Sequence, residues 1–194
     1  MVYRRAVMAF QCGKMYDEYG EVIIPYVEDF INRSIFYGMH PVMKDDFFAN
    51  CNYEAVRDMY KKIIPIVDEL HSAGWEPLTY AKTDELIGVE RFGKGDTVYI
   101  AVRNFDETAK DYTLVIQQEK IGIGENPVIT EMLSDKDIQY EYKNGIVIFD
   151  SLESNETKIF KISSTSVPTV SILSPNQLIC LFFPFLVFHL NPFL

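Results

Sequence analysis

Hydrophobic periodicity changes once along this chain, near Trp75, and the change limits what each part can fold into. Ahead of it the apolar residues recur at helical spacing. Ile23, Tyr26, Val27, Phe30 and Ile31 share one face, and Tyr53, Val56, Tyr60, Ile63, Val67 and Leu70 repeat at intervals of three and four. Between Glu85 and Ile162 the apolar residues alternate instead, as in Val98, Ile100 and Val102, in Tyr112, Leu114 and Ile116, and in Ile138, Tyr140 and Tyr142. A segment can satisfy only one of the two periods, so the pattern predicts a helical piece followed by an all-β module. After Lys161 no charged side chain occurs.

The first helix is expected to start at Glu21, whose charge in the first turn would suit the helix dipole, with Pro25 tolerated near the start. It is expected to run to about Tyr37, with a short buried strand over Gly38 to Met43 after it. Met1 to Phe10 fits either the end of a helix or a short buried strand. The second helix takes Asn52 as N-cap and stops at Gly74 as a left-handed C′ residue. Pro65 removes a backbone donor inside it and is expected to kink or divide the helix near Lys61. Beyond Pro77, seven strands are expected near 86–92, 97–104, 111–117, 128–133, 138–143, 146–150 and 157–162. Spacing this regular, with no helical interruption, predicts an antiparallel sandwich or barrel. Asn144-Gly145 suits a two-residue type I′ hairpin, and Lys94-Gly95-Asp96 marks another turn.

Composition excludes several functions. With 18 basic against 28 acidic residues the formal charge is −10, and the basic runs are only pairs, Arg4-Arg5 and Lys61-Lys62, so a nucleic-acid partner is not expected. Cys12, Cys51 and Cys180 are too few and too scattered for a disulfide framework or a CxxC metal site, although a Cys12–Cys51 bridge stays open. Met1 to Gly13 has two arginines but no long apolar run, so it does not read as a secretory signal. Gly93-Lys-Gly95 and Ile121-Gly-Ile-Gly124 lack the strand-to-helix context of a phosphate loop and read as turns. Asn32-Arg33-Ser34 and Asn155-Glu156-Thr157 fit the glycosylation sequon, a motif frequent by chance. Leu178 to Leu190 is an apolar run of thirteen residues, interrupted by Pro184 and short of the roughly 20 that span a bilayer. That tail reads as an appended reading-frame or splice product, as a lipid-anchor signal, or as a segment that packs on the module or a partner.

Residues that could carry chemistry cluster between His40 and Asp46. Asp45 and Asp46 are adjacent, so on a strand they point to opposite sides. A glycosidase pair needs two carboxyl groups set roughly 5 to 9.5 Å apart across a bond. They also read as acids at the approach to a helix, and His40, beside Pro41, as a packed or capping histidine. His71 has no partner at metal spacing, so no zinc site is expected. Trp75, the only tryptophan, reads as a buried wedge at the junction or as a platform for the apolar face of a pyranose.

The phrases FINRSIFYGMHPVM, YEAVRDMYKKIIPIVDELHSAGWEPLTYA and VERFGKGDTVYIAVRNF, in this order, resemble the C-terminal end of TIM-barrel glycoside hydrolases that carry a β-sandwich after the barrel. The stretch VITEMLSDKDIQYEYKNGIVIFDSLESNETKIFKI resembles the closing hairpin and last strand of amylase-type C-terminal domains. The resemblance covers about residues 1 to 162. It implies that Phe36 to Met43 is the eighth barrel strand and Tyr53 to Ala73 the last barrel helix. It also implies carbohydrate chemistry for a full-length relative, whose catalytic carboxylates lie on earlier strands. The expected fold is therefore α+β: the helical remnant of a (β/α) barrel end (1–80), an antiparallel β-sandwich (84–162), and a linker and apolar tail (163–194). No catalytic residue is assigned. His40, Asp45, Asp46 and Trp75 are the expected substrate-lining residues. Carbohydrate is the expected partner, with no cofactor, no metal and no membrane. The apolar helical faces are expected either to self-associate or to dock on the sandwich. The rival function is a non-catalytic β-sandwich module with a stabilising or binding role.

Overall fold

The computed structural model describes residues 17–19, 21–41, 54–84 and 86–164. Within them the chain is mixed α and β, mostly antiparallel sheet with few helices. The elements in order are helices α1 (Ile24–Phe36) and α2 (Arg57–Ala73), strands β1 (Trp75–Glu76), β2 (Ala81–Lys82), β3 (Ile87–Phe92), β4 (Thr97–Asn104) and β5 (Lys110–Ile116), the short helix α3 (Gln118–Ile121), and strands β6 (Val128–Glu131), β7 (Lys136–Asp137), β8 (Glu141–Tyr142), β9 (Ile146–Leu152) and β10 (Thr157–Ser163). A six-stranded sheet runs β1-β3-β4-β10-β6-β7 and a four-stranded sheet runs β2-β5-β9-β8.

Strand β4 shows how alternation builds the layers. Val98, Ile100 and Val102 on one face join Leu114, Ile116, Ile146 and Ile148 of the other sheet in one buried cluster. Tyr99 and Ala101 on the opposite face join a second cluster with Phe30, Ile35, Ile63, Val67 and Leu70 of the helices. The helices thus form a third layer over the six-stranded sheet. Each such aliphatic or aromatic side chain removed from water contributes about 1.5–3 kcal/mol. Phe30, Ile63 and Val67, apolar faces expected to need a partner, find it in this sheet.

Several boundaries differ from expectation. Helix α1 starts at Ile24, so Glu21 lies outside its first turn; Asp17 instead accepts the backbone N–H groups of Tyr19 and Glu21 ahead of it. Phe36 belongs to the helix, and no strand forms over residues 39–41; Val42 and Met43 lie outside the described residues. Helix α2 begins at Arg57 with Val56 in the cap position, and Asn52 lies outside the described residues. Pro65 does not divide it: the helix is continuous across Pro65, whose missing donor removes only one bond from the ladder. Gly74 caps it with φ 85° and ψ 138°, which is not the left-handed helical conformation.

Two further differences shape the second half. The run 138–143 is not one strand: Asp137 pairs with Thr130 in the six-stranded sheet, and Glu141 pairs with Val147 in the four-stranded sheet. Residues 138–140 therefore cross between sheets, and the alternation of Ile138 and Tyr140 reports packing against the inter-sheet core during that crossing. In the following hairpin Tyr142 faces Ile146, which leaves Lys143, Asn144 and Gly145 as a three-residue loop where a two-residue type I′ turn was expected. Strands β1 and β2, unexpected from periodicity because they are two residues long, extend the edges of both sheets.

Candidate functional site

Helices α1 and α2 end side by side. A cleft of about 480 Å³ opens there, lined by Tyr37 and Met39 after α1, His71 in the last turn of α2, Trp75 on β1, and Glu90 and Phe92 on β3. Gly38 makes the close approach of α1 to β3 achievable: its φ is +61°, and a Cβ there would stand 2.5 Å from the ring of Phe92. The β1–β3 register pairs Trp75 with Phe92, which brings Glu90 onto the same face as a diagonal neighbour of the indole. The indole Nε1–H donates to Glu90 Oε2 at 2.7 Å. Trp75 is 59% exposed, so it is not the buried wedge that its size suggested. A carboxylate holds the ring in place while its face stays in solvent.

The imidazoles of His40 and His71 stack with centroids 5.5 Å apart and planes at 29°. His40 Nε2 lies 3.4 Å from Asp68 Oδ1, an exposed carboxylate. His71 Nδ1 is buried with no hydrogen-bond partner among the described residues. Of the four expected lining residues, the structure brings His40 and Trp75 to this one end of the helix pair, while Asp45 and Asp46 lie outside the described residues. Glu90, Tyr37 and His71 also line the cleft, and none of the three was expected as a lining residue. The signal for Glu90 was its place two residues before Phe92 on a strand that pairs with the residue after Gly74. That pairing is not legible from periodicity.

Among the described residues lining the cleft, Glu90 is the only carboxylate, and it is bonded to Trp75. The arrangement can seat a flat apolar face and accept or donate a few hydrogen bonds. It does not place two carboxyl groups across a bond. Among the described residues no group of three or more His, Cys, Asp or Glu side chains could hold a metal ion, and no helix is long and apolar enough to cross a membrane.

A second, more open groove of about 660 Å³ lies on the other flank of α2 and includes Glu69, Lys94 and Tyr99. Of its two carboxylates, Asp68 and Glu69, the second is already committed: Tyr99 Oη donates to Glu69 Oε2 at 3.0 Å and Lys161 Nζ donates to the same oxygen at 2.9 Å. The Lys161 hydrogen bond holds Glu69 below the usual carboxylate range, despite an opposing push from partial burial. Burial, reinforced by Glu69, raises the Tyr99 phenol, and the bond to Glu69 raises Lys161. This trio joins α2 to β4 and β10.

The class of protein these elements define is a helix pair layered on a two-sheet antiparallel module. No family model matches the sequence, and no curated protein matches it. The solved structures to which the chain is similar are glycoside hydrolases, at low identity and partial coverage. A β-L-arabinopyranosidase from Geobacillus stearothermophilus is 11% identical with a TM-score of 0.47, over 72% of this chain and 30% of that one. An α-amylase from Geobacillus thermoleovorans is 17% identical with a TM-score of 0.47, over 74% and 36%. An α-galactosidase from Mortierella vinacea is 11% identical with a TM-score of 0.47, over 70% and 35%. The chain spans about a third of the length of these enzymes.

Proposed function

We propose that the chain is the C-terminal part of a glycoside hydrolase-like protein, a barrel end followed by a β-sandwich, without the catalytic carboxylates and without hydrolytic activity of its own. The observation that carries this reading is the direction of the helices. Their C-terminal ends meet at the His40–His71 stack, and both pack on one sheet, so consecutive helices run the same way. Helix α2's 17 residues span about 25 Å at 1.5 Å per residue. The 16 residues from Gly38 to Tyr53 are enough for one strand of that length and a loop, the helix–strand–helix step of a (β/α) barrel. The sequence resemblance to the end of such barrels supports the same order.

This reading divides the four expected lining residues. A strand that leaves α1 begins at the end where the helices stop, and barrel enzymes work at the opposite, C-terminal end of their strands. Asp45 and Asp46, outside the described residues, are assigned to the working end by the sequence resemblance alone. His40 and Trp75 belong to the other, at the junction with the sandwich, where residues serve stability.

The test is hydrolysis of aryl-glycosides by the 194-residue chain and by the polypeptide of the whole reading frame that contains it. The proposal expects turnover only from a frame that supplies earlier barrel strands. Turnover by the 194 residues, abolished by Asp45→Asn or Asp46→Asn, would overturn it. One observation favours the second reading, a non-catalytic binding module: the face of Trp75 is open and its ring is held by Glu90. Sugar binding without turnover, lost in Trp75→Ala, would support that reading.

A further inference from the structure

The cleft at the helix ends gathers negative charge. Helices α1 and α2 both terminate there, at Phe36 and Ala73. A helix C-terminus carries the negative end of the dipole and favours a cation near its last turn. Glu90 adds a full negative charge, and none of the described residues lining the cleft is lysine or arginine. The basic side chains close by are used elsewhere. Arg33, in the last turn of α1, is paired with Asp29. Arg91 follows Glu90 on β3 and so lies on the opposite face, where it donates to the Leu78 and Gly93 carbonyls and to Glu76.

The walls decide which cation suits the cleft. Trp75, Tyr37 and Phe92 line it, together with Met39 and Leu70. The bond from the indole Nε1–H to Glu90 Oε2 sets the exposed ring and the carboxylate side by side. Phe92 is buried against Gly38, and Tyr37 meets Phe36 edge to face with centroids 4.8 Å apart. The rings are thus in position before any ligand arrives, which lowers the cost of binding. Aromatic faces attract cations through the ring quadrupole, tryptophan most strongly. A metal ion or a simple ammonium would have to give up water that apolar walls do not replace. A quaternary ammonium group spreads its charge over methyl groups and presents carbon to those walls. The volume of about 480 Å³ is that of a small-molecule site.

We infer that this cleft binds a small organic cation with a quaternary ammonium head, held on the face of Trp75, with Glu90 and the two helix ends supplying the counter-charge. The inference goes beyond the barrel reading and does not depend on it. It is tested by calorimetric titration of the full 194-residue chain at about pH 8, above the ordinary imidazole range, so that His71 brings no competing charge. The probes are choline chloride and dimethylbutanol, its neutral carbon isostere, against a sodium chloride blank of equal ionic strength. Choline should bind saturably and change the emission of Trp75, the only tryptophan. The isostere should bind about tenfold more weakly. Glu90→Gln keeps an acceptor for the indole while removing the charge, and should weaken choline about fivefold. Trp75→Ala should weaken it about tenfold. Neither side chain is buried, so both variants should keep the parent's thermal transition, which separates loss of binding from loss of fold. Sedimentation with phosphatidylcholine vesicles separates the sources of the head group. Vesicle binding competed by choline would place it on a lipid, and choline binding alone would place it on a free solute. Absence of saturable choline binding, equal affinity for the isostere, or unchanged affinity in Glu90→Gln would overturn the proposal. The readout is binding without turnover, so a failure here is distinct from a failure of the barrel reading.

Discussion

Arg103 is 1% exposed, between helix α1 and the turn that joins β9 to β10, and both give it hydrogen-bond acceptors. Its Nη2 donates to Asp29 Oδ1 of α1 at 2.6 Å, and its Nη1 donates to the Asn155 carbonyl at 2.6 Å. Beside it, Thr157 donates its hydroxyl to the carbonyl of Asn32, and its N–H to the Asn32 side chain. Removing one member of a buried pair leaves the other uncompensated. Asp29→Ala should therefore destabilise by about 2 kcal/mol, below the usual cost for such a loss because Arg103 keeps its carbonyl partner. Urea denaturation measures it, and adding Arg103→Met should recover most of the loss. A second residue-scale prediction concerns Gly38: Gly38→Ala forces a Cβ into the Phe92 ring at a positive φ and should cost about 1–3 kcal/mol by the same measurement. The sequence offered little warning of either. The alternation of Val98, Ile100 and Val102 placed Arg103 on the opposite face, but only the helices' position over that face makes the arginine buried. Trp75 was singled out correctly as a junction residue and misjudged in burial, because its covering depends on strands two residues long.

At the scale of elements, periodicity found most of the structure. The helices expected over about 21–37 and 53–73 correspond to those observed at 24–36 and 57–73, and six of the seven expected strands correspond to observed strands, since each repeats a period over several residues. The exception, 138–143, alternates while crossing between sheets, because residues in that crossing still pack on the inter-sheet core. Glycine at 145 matters for a reason other than a type I′ turn. With φ at +140° and a Cβ that would fall 2.4 Å from the Ile116 carbonyl oxygen, Gly145→Val must displace the hairpin from β5. A loss of about 2–3 kcal/mol in chemical denaturation is expected, against no change if the loop is free to move. The Glu69–Tyr99–Lys161 trio should make the docking of α2 sensitive to pH. Glu69 is held low, so its contribution is present above its unfolded pKa and is lost as pH falls through the folded value, below the usual carboxylate range. Lys161 is held high, so its contribution is complete below its unfolded pKa and is lost as pH rises through the folded value, above the usual lysine range. The contribution of the Glu69–Lys161 pair should be level between these limits, and Glu69→Gln should flatten the acid limb of a melting-temperature profile. An acid limb identical to the parent's would show that the trio does not couple to folding.

For the whole molecule, the central claim is that the helix pair and the sheets form one unit. Phe92, Tyr99, Ala101 and Ile159 of the six-stranded sheet share a buried cluster with both helices, and two polar latches cross the same boundary. A sheet module that merely carried a helical extension would have a solvated outer face, whereas the outer face of this six-stranded sheet is apolar and covered. Native-state hydrogen exchange reads the difference directly. The amides of α1 and α2 should open with the same free energy as those of β4 and β10, and Asp29→Ala should lower both sets together. Helical amides that exchange through a much smaller opening, with β4 and β10 unaffected by Asp29→Ala, would contradict the claim.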